Sequence, residues 1–188
     1  MKLKIAVSGA HSTGKTTFLK KVKNKLGDKV SSALVTDLAS ICPLPILKDH
    51  SIESSLWIAA KGITEELEKG NDCDVLFVDR SIVDCWAYFN YACRDRYPSN
   101  DPRLETLRTL VQNWIPTYDV IYLTEVNPKI EIEDNKGRLL DEKYRQDIAM
   151  EMKQAFSHFK AKNEPLTFDN SDEQADSLVS DIIRKLKC

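Results

Sequence analysis

The chain has 188 residues, 42% hydrophobic and 30% charged, with a formal net charge of -2. This suits one globular domain over residues 1–188 with a real core, and it offers no basic field to gather polymeric nucleic acid. No apolar run approaches the roughly 20 residues that cross a bilayer, so no membrane partner is expected.

Leu3 to Val7 is a short apolar run that reads as a buried strand. Gly9-Ala10-His11-Ser12-Thr13-Gly14-Lys15-Thr16 follows and matches GxxxxGK[ST] in full. A helix is predicted from about Gly14 to Leu26, so the loop has the strand before it and the helix after it that the motif demands. The glycines let the backbone curl until successive N–H groups point at phosphate oxygens. The helix N-terminus adds partial positive charge. Lys15 reaches the β- and γ-phosphates, and the Thr16 hydroxyl ligates Mg²⁺. The expected nucleotide-binding set is Gly9, His11, Ser12, Thr13, Gly14, Lys15, Thr16 and Thr17. Alone, the motif indicates nucleotide binding and leaves the reaction open.

Val30 to Thr36 reads as a second strand, with Asp37 at its end, and a proline-rich break follows at Cys42-Pro43-Leu44-Pro45. Ser51 opens a long helix with Glu53 in its first turn, and Gly70-Asn71 ends it. Ile52, Leu56, Ala59, Ile63 and Leu67 recur at helical spacing and are its expected core stripe. Trp57 lies off that stripe as an aromatic available to an acceptor base. Val75 to Val78 is a continuous apolar run, as a strand buried on both faces requires, and Asp79 stands at its carboxyl end. That arrangement suits a Walker B acid holding Mg²⁺ through water. Arg80 is next and can hold a phosphate or acceptor hydroxyl. A helix over Ile82 to Arg94 carries Tyr88, Phe89 and Tyr91.

Leu104 to Trp114 is predicted helical and Val120 to Leu123 a further buried strand. Residues 126 to 141 are polar and read as a loop. Glu142 to about Lys160 is helical, Leu166 to Phe168 a last short strand, and Ser171-Asp172 the cap of a final helix. Strands and helices alternate throughout, which implies an α/β fold: a parallel sheet with helices on both faces. Ligands of such sheets sit outside the carboxyl ends of the strands, where Gly9, Asp37, Asp79 and the segment after Leu123 converge. The five cysteines form no close pair and read as reduced thiols in a cytoplasmic protein. His11, His50 and His158 are scattered, which argues against a zinc site.

Asp79-Arg80-Ser81-Ile82-Val83-Asp84-Cys85-Trp86-Ala87-Tyr88 resembles the D-R-S segment, with its following acid and A-Y pair, of P-loop nucleoside and nucleotide kinases. Thymidylate kinases, deoxynucleoside kinases and the nicotinamide riboside kinase-like AAA family share it. The resemblance spans residues 3 to 170 on a few short motifs. It implies a three-layer sandwich around a five-stranded parallel sheet in order 2-3-1-4-5. It also implies transfer of the γ-phosphoryl group of ATP, with Mg²⁺, onto a nucleoside or nucleoside monophosphate. Asp37 stands where these kinases place an acid near the acceptor, and a carboxylate there can take the proton of an attacking hydroxyl. Ala39-Ser40 follows where an arginine is usual. Asp134-Asn135-Lys136-Gly137-Arg138 and Asp141-Glu142-Lys143-Tyr144-Arg145 resemble the family lid, at about residues 126–145, in a shifted form. Arg138 and Arg145, then Lys136, are its candidate transition-state cations. The A-A-D-R of thymidylate kinases is Ala59-Ala60-Lys61-Gly62 here, which places Lys61 among the candidate acceptor contacts with Asp37, Trp57, Arg80 and Tyr88. Related kinases are often dimers through helices beside the acceptor site. Two other readings stay open: a regulatory nucleotide-binding module or switch ATPase acting on a protein partner, and a kinase of another small metabolite.

Overall fold

The structure is a computed structural model, and it describes residues 1–36, 38–127, 130, 141–167 and 171–186. Five strands run in it: β1 (Leu3–Ser8), β2 (Ser32–Val35), β3 (Val75–Asp79), β4 (Val120–Thr124) and β5 (Glu164–Leu166). Six α-helices join or follow them: α1 (Lys15–Leu26), α2 (Ile52–Asn71), α3 (Ile82–Cys93), α4 (Pro102–Trp114), α5 (Glu142–His158) and α6 (Ser171–Leu186). All pairings are parallel and the order is β2-β3-β1-β4-β5, as the family resemblance implies.

Alternation along the strands sorts the core into two layers. Ala6, Leu76, Val78 and Ile121 face α2, α3 and α5 with Ile52, Val83, Phe89 and Ile148. Ile5, Val7, Val75, Phe77 and Tyr122 face α1 and α6 with Leu19, Val22, Leu178 and Ile182. β3 is buried at every residue, which is why it reads as an uninterrupted apolar run.

The starts of α2, α3, α4 and α5 follow side-chain capping. Ser51 accepts from the Ser54 amide, Ser81 from Val83, Asp101 from Arg103 and Asp141 from Tyr144. α4 begins two residues before the expected Leu104, because Asp101 caps it and Pro102 takes the first helical position, where a missing N–H costs nothing. β5 lies two residues earlier than expected. Its register sets Glu164 on Tyr122 and Leu166 on Thr124, and Pro165 is tolerated because β5 is an edge strand. Phe168 lies outside the described residues.

The stripe expected on α2 fails at one end. Leu67 is 61% exposed, whereas Glu66 is only 5% exposed. Glu66 is drawn inward by Lys4, Trp114 and Tyr118, which together satisfy its carboxylate.

Candidate functional site

β1 delivers the chain to the phosphate loop at the carboxyl edge of the sheet. Gly9 has φ +134 and Gly14 φ +84, and Ser12 between them also takes a positive φ of 52. A Cβ on Gly9 would stand 2.0 Å from Thr124 Oγ1, so only glycine fits against the end of β4. Thr124 Oγ1 donates to Ser8 O at 3.0 Å and lies 2.6 Å from Thr13 Oγ1, tying the loop to the neighbouring strand.

Lys15 opens α1 and is 5% exposed. Its ammonium donates to Ala10 O and to Thr13 Oγ1, so it lies across the loop where phosphates would be cradled. Thr16 Oγ1 donates to Asp79 Oδ2 at 2.5 Å. The two oxygens expected to serve a metal thus stand side by side. Thr17 is exposed in the first turn of α1. The His11 ring is 1% exposed and lies 5.7 Å from the Tyr144 ring on α5, so its side chain shapes the loop from behind.

Arg80 follows Asp79 with φ +83, in the left-handed region that costs a non-glycine residue of order 1 kcal/mol or more. Its side chain is held in place: Nη1 donates to Gly9 O at 3.3 Å, to Asp84 Oδ1 at 3.4 Å and to the Tyr88 hydroxyl at 3.2 Å. The guanidinium also sits 5.2 Å from the Tyr88 ring centre. Asp84 is 3% exposed and accepts from the Gly9 amide at 3.3 Å. Burial pushes its carboxyl up from the ordinary aspartate range, against the charges of Arg80 and Lys15 and the hydrogen bonds of Ser8 and Gly9. It is a site acid that the sequence shows only as one letter of a motif.

Arg145 enters from the first turn of α5 rather than from a loop. It is 1% exposed, donates to Ile130 O at 2.8 Å and Ser12 O at 3.4 Å, and pairs with Glu142 at 2.5 Å. A helix therefore delivers this cation to the back of the phosphate loop. Asp37, Lys136 and Arg138 lie outside the described residues.

Beside Asp79 and Arg80 a cavity opens between α2, α3 and the segment 38–50. Its volume is about 70 Å³, several times what one water needs. Leu38, Leu47, Ile58, Ile63 and Ile82 make it mainly apolar, while His50, Glu66, Asp84 and Tyr88 bring polar atoms to its wall. Of the expected acceptor contacts, Arg80 and Tyr88 line it. Trp57 and Lys61 do not: α2 presents Ile58, Ala59, Gly62, Ile63 and Glu66, and those two residues fall one step round the helix. Lys61 pairs instead with Glu65 at 2.6 Å.

His50 is 5% exposed and its Nε2 lies 2.6 Å from Ser55 Oγ. Burial, with the Arg96 charge, pulls its imidazole down from 6.5 to about 4. The unfolded chain takes up this proton as pH falls through 6.5, but the folded protein refuses it until about 4. Stability is therefore complete above 6.5 and declines in that window, by about 2 kcal/mol on reaching about pH 5. Urea unfolding at neutral pH and at about pH 5 measures it, and His50→Gln should flatten the decline.

Among the described residues no helix is long and apolar enough to cross a membrane, and no three His, Cys, Asp or Glu side chains gather as a metal cluster. Cys42, Cys73, Cys85 and Cys93 are free thiols.

A family model described as an AAA domain matches residues 4–167. A comparison with curated proteins gives no match. Among solved structures, deoxyadenosine kinase from M. mycoides with bound dATP is similar with a TM-score of 0.63 at 16% identity, over 99% of this chain and 100% of that one. The NadR protein in complex with NR has a TM-score of 0.67 at 15% identity, over 89% of this chain and 46% of that one. Thymidylate kinase from Candida albicans has a TM-score of 0.61 at 16% identity, over 99% and 92% of the two chains. At these identities the likeness is one of fold, the P-loop kinase fold. With the family match running from β1 through β5, and the phosphate loop, Asp79 and Arg80 all inside it, the chain belongs to the AAA domain family.

Proposed function

We propose that this chain is an ATP-dependent phosphotransferase whose acceptor is a nucleoside or a nucleoside monophosphate. The observation that carries the reading is an apolar cavity opening directly beside the phosphate loop, with Arg80 and Asp79 on the wall between them. A nucleotide-binding module or switch ATPase needs the loop but has no use for a second, mainly apolar cavity at the same edge. The likeness in fold to a deoxyadenosine kinase and a thymidylate kinase supports the same class of acceptor.

The residues divide the work as follows. The amides of the phosphate loop and the N-terminus of α1 bind the phosphates of ATP. Lys15 exchanges the Ala10 carbonyl for a phosphate oxygen and follows the charge that develops on the transferred group. Thr16 and Asp79 offer adjacent hard oxygens, a donor set that fits magnesium, which takes few protein ligands and keeps phosphate and water for the rest. What magnesium supplies when bound is neutralisation of the β- and γ-phosphates. Arg80, steadied by Asp84 and Tyr88, orients the acceptor against the γ-phosphoryl group. Arg145 stiffens the loop through Ser12. Free thiols at four buried or half-buried positions support a reducing, cytoplasmic setting.

If the acceptor group is a hydroxyl, Asp37 is the base we assign to it. Asp37→Asn is then expected to lower kcat by about 10²–10⁴ with the KM for ATP held. A wild-type rate removes Asp37 from the mechanism. The reading as a whole is tested by ADP release from ATP and Mg²⁺ against nucleosides, nucleoside monophosphates and nicotinamide riboside. One acceptor class should accelerate release, and a flat panel would sink the proposal.

A further inference from the structure

A buried polar network lies behind the site, on the face of the sheet that carries α2 and α3. Lys4, the second residue of β1, is 3% exposed, and its ammonium donates to Glu66 Oε2 at 2.6 Å. Trp114 Nε1 donates to the same oxygen at 2.8 Å. The Lys4 ammonium lies 4.5 Å from the Trp114 ring centre and 4.6 Å from that of Tyr118. Tyr118 completes the set: its hydroxyl donates to Glu66 Oε1 at 2.8 Å and accepts from the Ile82 amide at 3.1 Å.

That last bond is the informative one. Ile82 is the first residue of α3, and its amide has no carbonyl partner within the helix. Ser81 caps the Val83 amide, so the Ile82 amide depends on Tyr118. The two residues before it are Ser81 and Arg80, both on the cavity wall, and Arg80 is held there in a strained conformation. Glu66 belongs to the stretch of α2 that forms the opposite wall. One carboxylate and one phenol therefore join the two walls of the acceptor cavity to the strand that feeds the phosphate loop.

We infer that Glu66 and Tyr118 are positioning residues: they fix the first turn of α3, and through it Arg80, against the acceptor wall of α2. The phenol suits this task because burial and the neighbouring carboxylate hold it far above its ordinary titration range, so it stays a donor at all working pH. Lys4 balances the Glu66 charge, without which a buried carboxylate would be costly. The kinetic consequence rests on the phosphotransferase reading; the structural one does not.

The test uses the full chain and two readouts. In Tyr118→Phe the ring and its contact with Lys4 remain, and only the hydroxyl is lost. Hydrogen exchange at the Ile82 amide should accelerate at least tenfold relative to amides of β1 and β3. The acceptor-dependent kcat should fall about tenfold to a hundredfold, as misplacement of an orienting group does, while the KM for ATP stays within about twofold. Lys4→Met/Glu66→Leu reaches the network from the other side with charge balance kept, a replacement that buried ion pairs tolerate. It should loosen the Ile82 amide as well, because Tyr118 loses its acceptor. Trp114→Phe, which leaves both Tyr118 bonds in place, should keep that amide protected. Unchanged exchange at Ile82 in Tyr118→Phe overturns the inference. So does a loss of protection spread evenly over the sheet, which is what general destabilisation produces. A wild-type protein that phosphorylates no acceptor sinks the phosphotransferase reading, and the exchange data still decide the positioning role.

Discussion

Lys15→Ala is expected to reduce phosphoryl transfer by about 10²–10³ in kcat/KM, the usual cost of removing one preorganised cation or donor from a transition state. The argument is local. Lys15 begins α1 and reaches back over the loop to Ala10 and Thr13, and on the proposed reading its charge turns from there to the β- and γ-phosphates. Alanine is a good helix former, so α1 should persist and thermal unfolding should change little. Lys15→Arg should not restore the rate, because a planar guanidinium cannot occupy the place of a compact ammonium folded against the loop. Steady-state kinetics beside a melting curve separate the two effects. A variant that melts normally and turns over at the wild-type rate would remove Lys15 from the chemistry.

Among the described glycines, Gly9→Ala should be the most damaging change to alanine. The new methyl meets Thr124 Oγ1 at 2.0 Å and the Thr124 carbonyl oxygen at 3.2 Å, at a φ of +134 that side chains rarely adopt. Strain of this kind costs about 1–3 kcal/mol before the clash is counted. The loop must shift, and activity should be lost with stability. Thr124→Ala removes the nearest atom. In a double-mutant cycle, Gly9→Ala/Thr124→Ala should therefore be less destabilised than the two single changes added together, by about 1 kcal/mol or more. Strict additivity would show that the clash is not the cause. Urea denaturation of the four proteins supplies the numbers.

The parts that were legible from the sequence are those with local signals. The phosphate loop is a contiguous motif between an apolar strand and a helix, and β3 is an unbroken apolar run ending in an acid. Their meeting at one sheet edge follows from the parallel α/β pattern. What stayed hidden depends on contacts between distant residues. Periodicity puts Leu67 inside and Glu66 outside, since it cannot see that Lys4, 62 residues earlier, neutralises the carboxylate. Thr124 becomes important only because β4 lies next to β1. Arg145 reads as part of a lid until α5 is seen to carry it against Ser12. Trp57 was a candidate as an aromatic and Lys61 by its place in a family motif, and the rotation of α2 leaves them beside the cavity rather than in it.

The most direct measurement is the fate of the γ-phosphoryl group. ATP labelled at that position is incubated with Mg²⁺ and the acceptor that most accelerates ADP release, and the products are separated and counted. The account predicts labelled acceptor formed one-for-one with ADP, abolished in Lys15→Ala, with little inorganic phosphate. Label appearing only as inorganic phosphate, at a rate no acceptor changes, would contradict it.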